Sequence, residues 1–355
     1  MSNDIEQGEL DLEKIPAEEE DLDLDIASYK INTYGTDFTL EILSSKLDDK
    51  EIKVPPFQRK YVWPSKKASK LVESFLLGLP VPQIFLYRQE KTQDLMVVDG
   101  QQRLRTINYF FNGKYEDDSI FRLVSVKPQW EGKTYKDLSE QDRRKLKNSI
   151  LRATIFEQMD PKDNSSVFEI FERLNTGGMA LTLQEIRNCV INGPINSFLE
   201  NLNQHSNWRK LLGKSTPDSR MKDIEMILRF FALNEHWKTY KKPMKDFIGD
   251  YMRENKDISK SRKDKLSKVF ISTTDFIMSK LGSKAFRIKS GINVAVLDSL
   301  MVAAATVPTK KIKDPQKSYK NLLKDKAYLE AVSQHTTDQE KVQGRIKISI
   351  AKFIE

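Results

Sequence analysis

The sequence predicts an α+β fold: a mixed α/β part to about residue 180, followed by a mostly α-helical part rich in lysine. Three observations carry this. Apolar runs of strand length (Ile84 to Tyr87, Leu95 to Val98, Ala153 to Phe156) alternate with helical-period segments in the first half. From Thr182 onward nearly every apolar pattern recurs at three and four residues. The charge also changes along the chain, from an acidic leader to a basic helical part. The expected divisions are a disordered acidic leader at 1–28, an α/β domain at 29–180 and a basic α-helical domain at 181–355.

In chain order, Thr39 to Leu47 reads as a short helix with Leu40, Leu43 and Leu47 on one face, and Lys50 to Val54 as extended until Pro55-Pro56 stops it. Ser65 is placed to cap a helix through Leu77, whose stripe is Ala68, Leu71, Val72, Phe75 and Leu76. Pro80 and Pro82 close that element. Ile84 to Tyr87 and Leu95 to Val98 flank a polar segment and predict a hairpin. Asp99-Gly100 ends the second run, and Gln102 to Phe111 returns to helical spacing. Phe121 to Val126 and Ala153 to Phe156 are further strand candidates. Asp163 to Asn175 predicts a helix ending at Thr176-Gly177-Gly178. Later helices are expected around Ile224 to Leu233, Phe247 to Met252, Leu266 to Leu281, Val294 to Ala305 and Ile346 to Ile354.

Composition excludes several classes. No window reaches the ~20 apolar residues of a spanning helix, and the acidic N-terminus differs from a secretory signal, so a cytoplasmic location is expected. The single cysteine, Cys189, forbids an internal disulfide and reads as a small core residue. Three dispersed histidines, His205, His236 and His335, supply no metal-binding pair. Residues 1–26 hold eleven acids and one lysine, a net charge of −10, which leaves +18 on the rest of the chain. Lys238 to Lys289 holds fifteen bases and six acids. Such concentrated positive charge favours a phosphate backbone through counterion release, so DNA contact is expected of the helical part. The acidic leader has the composition of a disordered segment and the charge to fold back on that surface and compete with DNA.

The sharpest local signal is Val97-Val98-Asp99-Gly100-Gln101-Gln102-Arg103-Leu104-Arg105-Thr106. A buried strand runs through Asp-Gly into the first turn of a helix, where glycine lets a ligand approach the backbone and the helix start favours an anion. Arg103 adds a forked cationic donor. Asp99 is placed to hold a hydrated Mg²⁺ or orient a water. Gln101 and Gln102 add neutral donors and acceptors. A plain Asp-Gly turn is the bland alternative; an acid, two amides and two arginines within seven residues favour a ligand site. A second run, Pro55-Pro56-Phe57-Gln58-Arg59-Lys60-Tyr61-Val62-Trp63, offers Gln58 and Arg59 to the same cleft, while its aromatics are expected to pack in the core. A third, Phe168 to Gly178, contains Phe171, expected in the core, and Asn175, which suits a helix C-terminus.

In this order the segments P-x-F-Q-R-x-Y-x-W (Pro55 to Trp63), S-F-L-L-G-L-P-V-P-Q-I-F-L (Ser74 to Leu86), D-G-Q-Q-R-x-x-T (Asp99 to Thr106), F-E-R-L-N-T-G-G (Phe171 to Gly178) and L-T-x-x-E-I-R-N (Leu181 to Asn188) resemble one family. It is the ParB/sulfiredoxin-like N-terminal domain of GmrSD-type modification-dependent restriction systems. The resemblance spans about residues 35–195. It implies a ParB/sulfiredoxin-like fold for the α/β domain and a module that binds and hydrolyses a nucleoside triphosphate, with Mg²⁺, and acts with DNA in defence against phage. Carried over, it implies Asp99, Arg103 and Gln102 as catalytic residues, with Asp99 the metal ligand. It implies Gln58, Arg59, Gly100, Gln101, Thr106, Phe171 and Asn175 as nucleotide-binding residues. Family members with full restriction activity also carry an HNH-type nuclease domain. Here the histidines lack that context, so the resemblance implies cutting by a separate nuclease partner, or a stand-alone sensor.

Three functions are weighed: an NTP hydrolase or NTP-gated DNA-binding subunit, which leads; a direct DNA nuclease or nickase, for which the motifs supply Asp99 with Glu172 and Glu185; and a non-catalytic nucleotide-switched recruitment module. Homo-oligomerisation is compatible with each.

Overall fold

A computed structural model of the chain describes residues 9–13, 30–54, 61–89, 92–160, 170, 182–191 and 193–354. It divides into two compact units. One is Ala27–Leu181; the other joins Met1–Ile26 to Thr182–Glu355.

The first unit is built on a five-stranded mixed sheet of order β1-β5-β3-β4-β2. Its strands are β1 (Lys30–Thr39), β2 (Ile52–Lys53), β3 (Ile84–Arg88), β4 (Leu95–Asp99) and β5 (Ile150–Asp160). β3 and β4 form the expected hairpin, β5 runs parallel to β3, and β2 parallel to β4. Among the described residues the helices α1 (Leu40–Asp48), α2 (Ser65–Leu77), α3 (Gln101–Asn112) and α4 (Glu140–Asn148) accompany the sheet. Ile84 and Leu86 of β3, Leu95 and Val97 of β4, and Leu151, Ala153 and Ile155 of β5 share a core with Ala68, Leu71, Val72 and Phe75 of α2 and Leu104, Ile107 and Phe110 of α3. Intervening residues Tyr87, Met96, Val98 and Phe156 are buried as well. β3 and β4 therefore read as apolar runs rather than as alternating strands.

The helix boundaries follow local chemistry. Thr39 caps α1 by accepting from Ile42 N–H. α2 begins at Ser65, with Pro64 in the N-cap position, and ends at Gly78 in the left-handed conformation. Glu73 of α2 is buried yet ionic: it accepts from Lys70 Nζ (2.6 Å) and from Lys127 N–H (2.7 Å). Lys70 foremost holds its carboxyl below the ordinary glutamate value.

Two elements differ from the sequence reading. β1 is a ten-residue edge strand that the pattern of Lys30 to Phe38 does not announce. Phe121 to Val126, expected as a strand, forms no ladder. Its backbone groups bond to turns instead: Phe121 N–H to Gly113 C=O, Leu123 N–H to Lys133 C=O, and Val126 N–H to Glu131 Oε2. Ser125 has φ 57°, which interrupts any extended run. The helix expected at Asp163 to Asn175 and its glycine end lie outside the described residues, apart from Ile170.

The second unit is helical among its described residues: α5 (Leu183–Val190), α6 (Pro194–Asn203), α7 (Ser206–Leu212), α8 (Lys222–His236), α9 (Met244–Glu254), α10 (Lys260–Leu281), α11 (Val294–Thr306), α12 (Pro315–Leu322), α13 (Lys326–Ala331) and α14 (Gln339–Ile354). α11 is apolar nearly all round and is buried from Ala295 to Ala304, which makes it the central helix. α8, α10 and α14 pack against it. Asp298 of α11 accepts from Arg229 of α8 (2.8 and 2.9 Å) and from Arg345 of α14 (2.9 Å), all buried. Where composition predicts disorder throughout 1–28, residues 9–13 are seated on this unit, with Leu10 5% exposed.

Candidate functional site

The turn from β4 to α3 is set by a register shift. Leu86, Tyr87 and Arg88 face Val97, Met96 and Leu95, whereas Phe85 faces Asp99. β4 thus contributes one extra residue, a β-bulge that re-aims the strand end. Phe85 also faces Thr154 of β5, so Asp99, Phe85 and Thr154 form one row across three adjacent strands. Residues directly opposite in a ladder project to the same side, which puts Asp99 at the end of a row that also holds a hydroxyl.

Gly100 has φ 99° and occupies the N-cap of α3. A Cβ there would lie 2.9 Å from Ile84 Cβ and nearer still to Ile84 Cγ2. Glycine is therefore required twice over, by conformation and by space. α3 starts without a capping side chain, and its dipole and first-turn geometry favour an anion near this end.

Arg103 reaches back over the turn. Its Nη2 donates to Asp99 Oδ2 (2.7 Å) and its Nη1 to Pro82 C=O (3.2 Å). The Arg103 side chain is 14% exposed and that of Asp99 51%. The guanidinium is thus held by its own strand end and by the segment entering β3. Beside it, Thr154 Oγ1 donates to Gln83 Oε1 (3.2 Å).

The remaining residues of the motif support the turn. Gln102 Oε1 accepts from Val62 N–H (3.1 Å). Thr106, expected to line the pocket, is instead 0% exposed, and its hydroxyl bonds to Tyr61 OH (2.8 Å) and Gln102 C=O (2.7 Å). Tyr61 packs on Tyr109 and Tyr115, with ring centroids 5.1 and 5.8 Å away. Burial pushes its phenol up to about 12. The aromatics Tyr61 and Trp63 pack against the core, as expected of that run. Tyr61 and Val62 also tether to the first turns of α3 the segment that follows Gln58 and Arg59.

Gln58, Arg59, Phe171 and Asn175 lie outside the described residues. The structure therefore brings together Asp99, Gly100 and Arg103, with Gln101 and Gln102 on the same helical turn. Thr154, in the same row two strands from Asp99, and Gln83, bonded to it and next to the Pro82 that holds Arg103, were not singled out from the sequence; the polar Gln83 directly before an apolar strand was the available signal. Among the described residues no group of three or more His, Cys, Asp or Glu side chains is arranged to hold a metal ion.

Residues 40–192 match the family model described as GmrSD restriction endonuclease, N-terminal domain. They belong to this family. The match covers β2 to β5 and α1 to α4, and extends through α5. It ties the chain to restriction and defence systems. No curated protein matches the chain. Within the GmrSD N-terminal domain, the conspicuous L-T-x-x-E segment has a structural use. Thr182 and Glu185 form a capping box at the start of α5, and Glu185 also pairs with Arg220 (3.1 Å). Its carboxylate, an alternative metal ligand on sequence grounds, is buried and committed to these bonds. Among the described residues no helix is long and apolar enough to cross a membrane.

Proposed function

We propose that the GmrSD N-terminal domain of this chain binds and hydrolyses a nucleoside triphosphate at the β4–α3 turn, and that the lysine-rich helical unit holds DNA. The observation that carries the first part is the Asp99–Gly100–Arg103 arrangement. A carboxylate that is half exposed and a restrained guanidinium meet beside a buried glycine that packs on Ile84 and lets the strand turn directly into a helix start. Phosphoryl transfer needs mainly positioning and charge neutralisation rather than a covalent partner. Arg103 has five N–H donors, of which two bond to described residues. Its remaining donors suit the oxygens of a phosphate lying over the turn. Asp99 orients the attacking water. Gln102 holds Val62, and in this reading the charge of Arg59 and the amide of Gln58 serve the same phosphates.

The donor set fits Mg²⁺ in one limited way. Mg²⁺ is commonly held by one or two carboxylates together with substrate phosphates, and Asp99 is the carboxylate this turn supplies. Bound there, the ion would neutralise phosphate charge. Two-metal DNA cutting requires several convergent carboxylates, which the turn does not provide.

The test is phosphate release by the purified chain with Mg²⁺ and each nucleoside triphosphate in turn, with and without DNA. Asp99→Ala and Arg103→Ala are expected to abolish turnover while melting stays at the parental temperature. Full turnover in both variants would remove the assignment. Tight nucleotide binding without turnover, even with DNA present, would select a nucleotide-switched recruitment module.

A further inference from the structure

Residues 9–13 form an amphipathic strand on the helical unit. Leu10 and Leu12 alternate with Glu9, Asp11 and Glu13, so one edge is apolar and the other acidic. Leu10 is buried, and its N–H donates to Asp218 Oδ2 (2.5 Å). The other oxygen of Asp218 accepts from the N–H groups of Arg220 and Lys222. Leu12 pairs with Ile292 in a single parallel bridge, closed by Ile292 N–H to Asp11 C=O (2.8 Å) and Glu13 N–H to Ile292 C=O (2.9 Å). A Cβ on Gly291 would lie 2.7 Å from Glu13 N, so that glycine leaves room for the strand to lie down.

The surface beneath is cationic. Lys222 Nζ contacts Glu9 Oε2 (2.7 Å), Lys214 donates to Glu9 C=O, and Lys289 Nζ lies 3.7 Å from Glu13 Oε1. Arg220 also acts on the Glu9 carboxylate through its charge. An apolar anchor and a backbone bridge would suffice to dock a strand. Three lysines facing this segment, two of them on its glutamate carboxylates, are an additional feature, and they describe a surface that accepts spaced negative charges, while the Arg220 guanidinium is paired with Glu185.

We propose that the surface around Lys214, Lys222 and Lys289 is a contact surface for the phosphates of DNA, and that residues 9–13 occupy it as a built-in competitor. This rests on the reading of the helical unit as DNA-binding. The acidic strand places carboxylates where backbone phosphates would sit. In the sequence, eight more acids of residues 1–26 flank Glu9, Asp11 and Glu13. DNA must displace the strand to use these cations, so the full chain binds more weakly than its helical unit allows.

The experiment measures affinity for a labelled duplex DNA against salt, using the full-length chain. The variants are Leu10→Ser, which removes the anchor, and the pair Glu9→Gln with Glu13→Gln, which removes the charge but keeps the packing. Each is expected to bind more tightly at low salt, with a plot of log affinity against log salt steeper by about two, since Lys222 and Lys289 lose their carboxylate partners and each becomes available to one phosphate. Their advantage over the parent then shrinks roughly tenfold between about 50 and 200 mM salt. Adding Lys222→Ala and Lys289→Ala to the Leu10→Ser chain should abolish the gain. Equal affinity and slope in parent and both variants would overturn the competitor while leaving the DNA reading standing. Absence of binding in every chain at low salt would overturn both.

Discussion

Gly100 is the residue on which the β4–α3 turn depends. Its φ of 99° is costly for any residue with a Cβ, by about 1–2 kcal/mol. The overlap with Ile84 adds a packing cost of roughly 1–3 kcal/mol. Gly100→Ala is therefore expected to destabilise the sheet unit by about 2–5 kcal/mol and to reduce turnover as well, because relieving the overlap moves the turn that holds Arg103. Urea denaturation and phosphate release measured on the same variant check both effects; a normal denaturation midpoint would contradict the geometry. Asp99, Gly100 and Arg103 were legible in the sequence because strand, glycine and helix start follow one another within a few residues. Thr106 was misread because its role depends on the helical turn. At position 106 it lies one turn beyond Gln102, where the hydroxyl returns to the Gln102 carbonyl and meets Tyr61.

At the scale of elements, long uninterrupted apolar patterns were easiest to read. β3, β4, α2 and α11 are buried over most of their length and α3 along one face, so their composition reports their surroundings. β1 escaped because it lies at the sheet edge, where pairing with β5 through backbone bonds supports a strand with little apolar content. Phe121 to Val126 misled for the opposite reason: its apolar side chains Phe121 and Leu123 are buried, but from an irregular segment. The contact between Tyr61 and α3 yields a prediction for pH. An exposed tyrosine in the unfolded chain loses its proton near pH 10, whereas burial keeps Tyr61 protonated to about pH 12 in the folded protein. The folded state therefore binds the extra proton in this window, and stability falls as pH rises from about 10 to 12. Tyr61→Phe should lessen that alkaline loss. It should also cost about 0.5–1.5 kcal/mol near neutrality for the missing bond to Thr106. Denaturation midpoints of parent and variant across this range test the claim; identical alkaline slopes would refute it.

For the whole molecule, charge is sorted by unit and by depth. The surface excess of lysine lies on the helical unit, which also encloses fully buried ionic groups. Asp298 joins α8, α11 and α14 by accepting from Arg229 and Arg345, so two cations surround one anion in the core. Burial outweighs the attraction of Asp298 in the case of Arg345 and lowers its pKa from the ordinary arginine value. Such an arrangement is costly to break but need not stabilise relative to an apolar core. Asp298→Asn leaves both guanidiniums without their counter-charge and is expected to cost about 3–5 kcal/mol. Replacing all three together, with Arg229→Met, Asp298→Leu and Arg345→Met, removes the buried charges and should recover most of that loss. Chemical denaturation followed by circular dichroism separates the possibilities. A triple variant as unstable as Asp298→Asn would mean that the Arg345 bond to the Thr336 carbonyl, rather than the Asp298 charge, holds α14 in place.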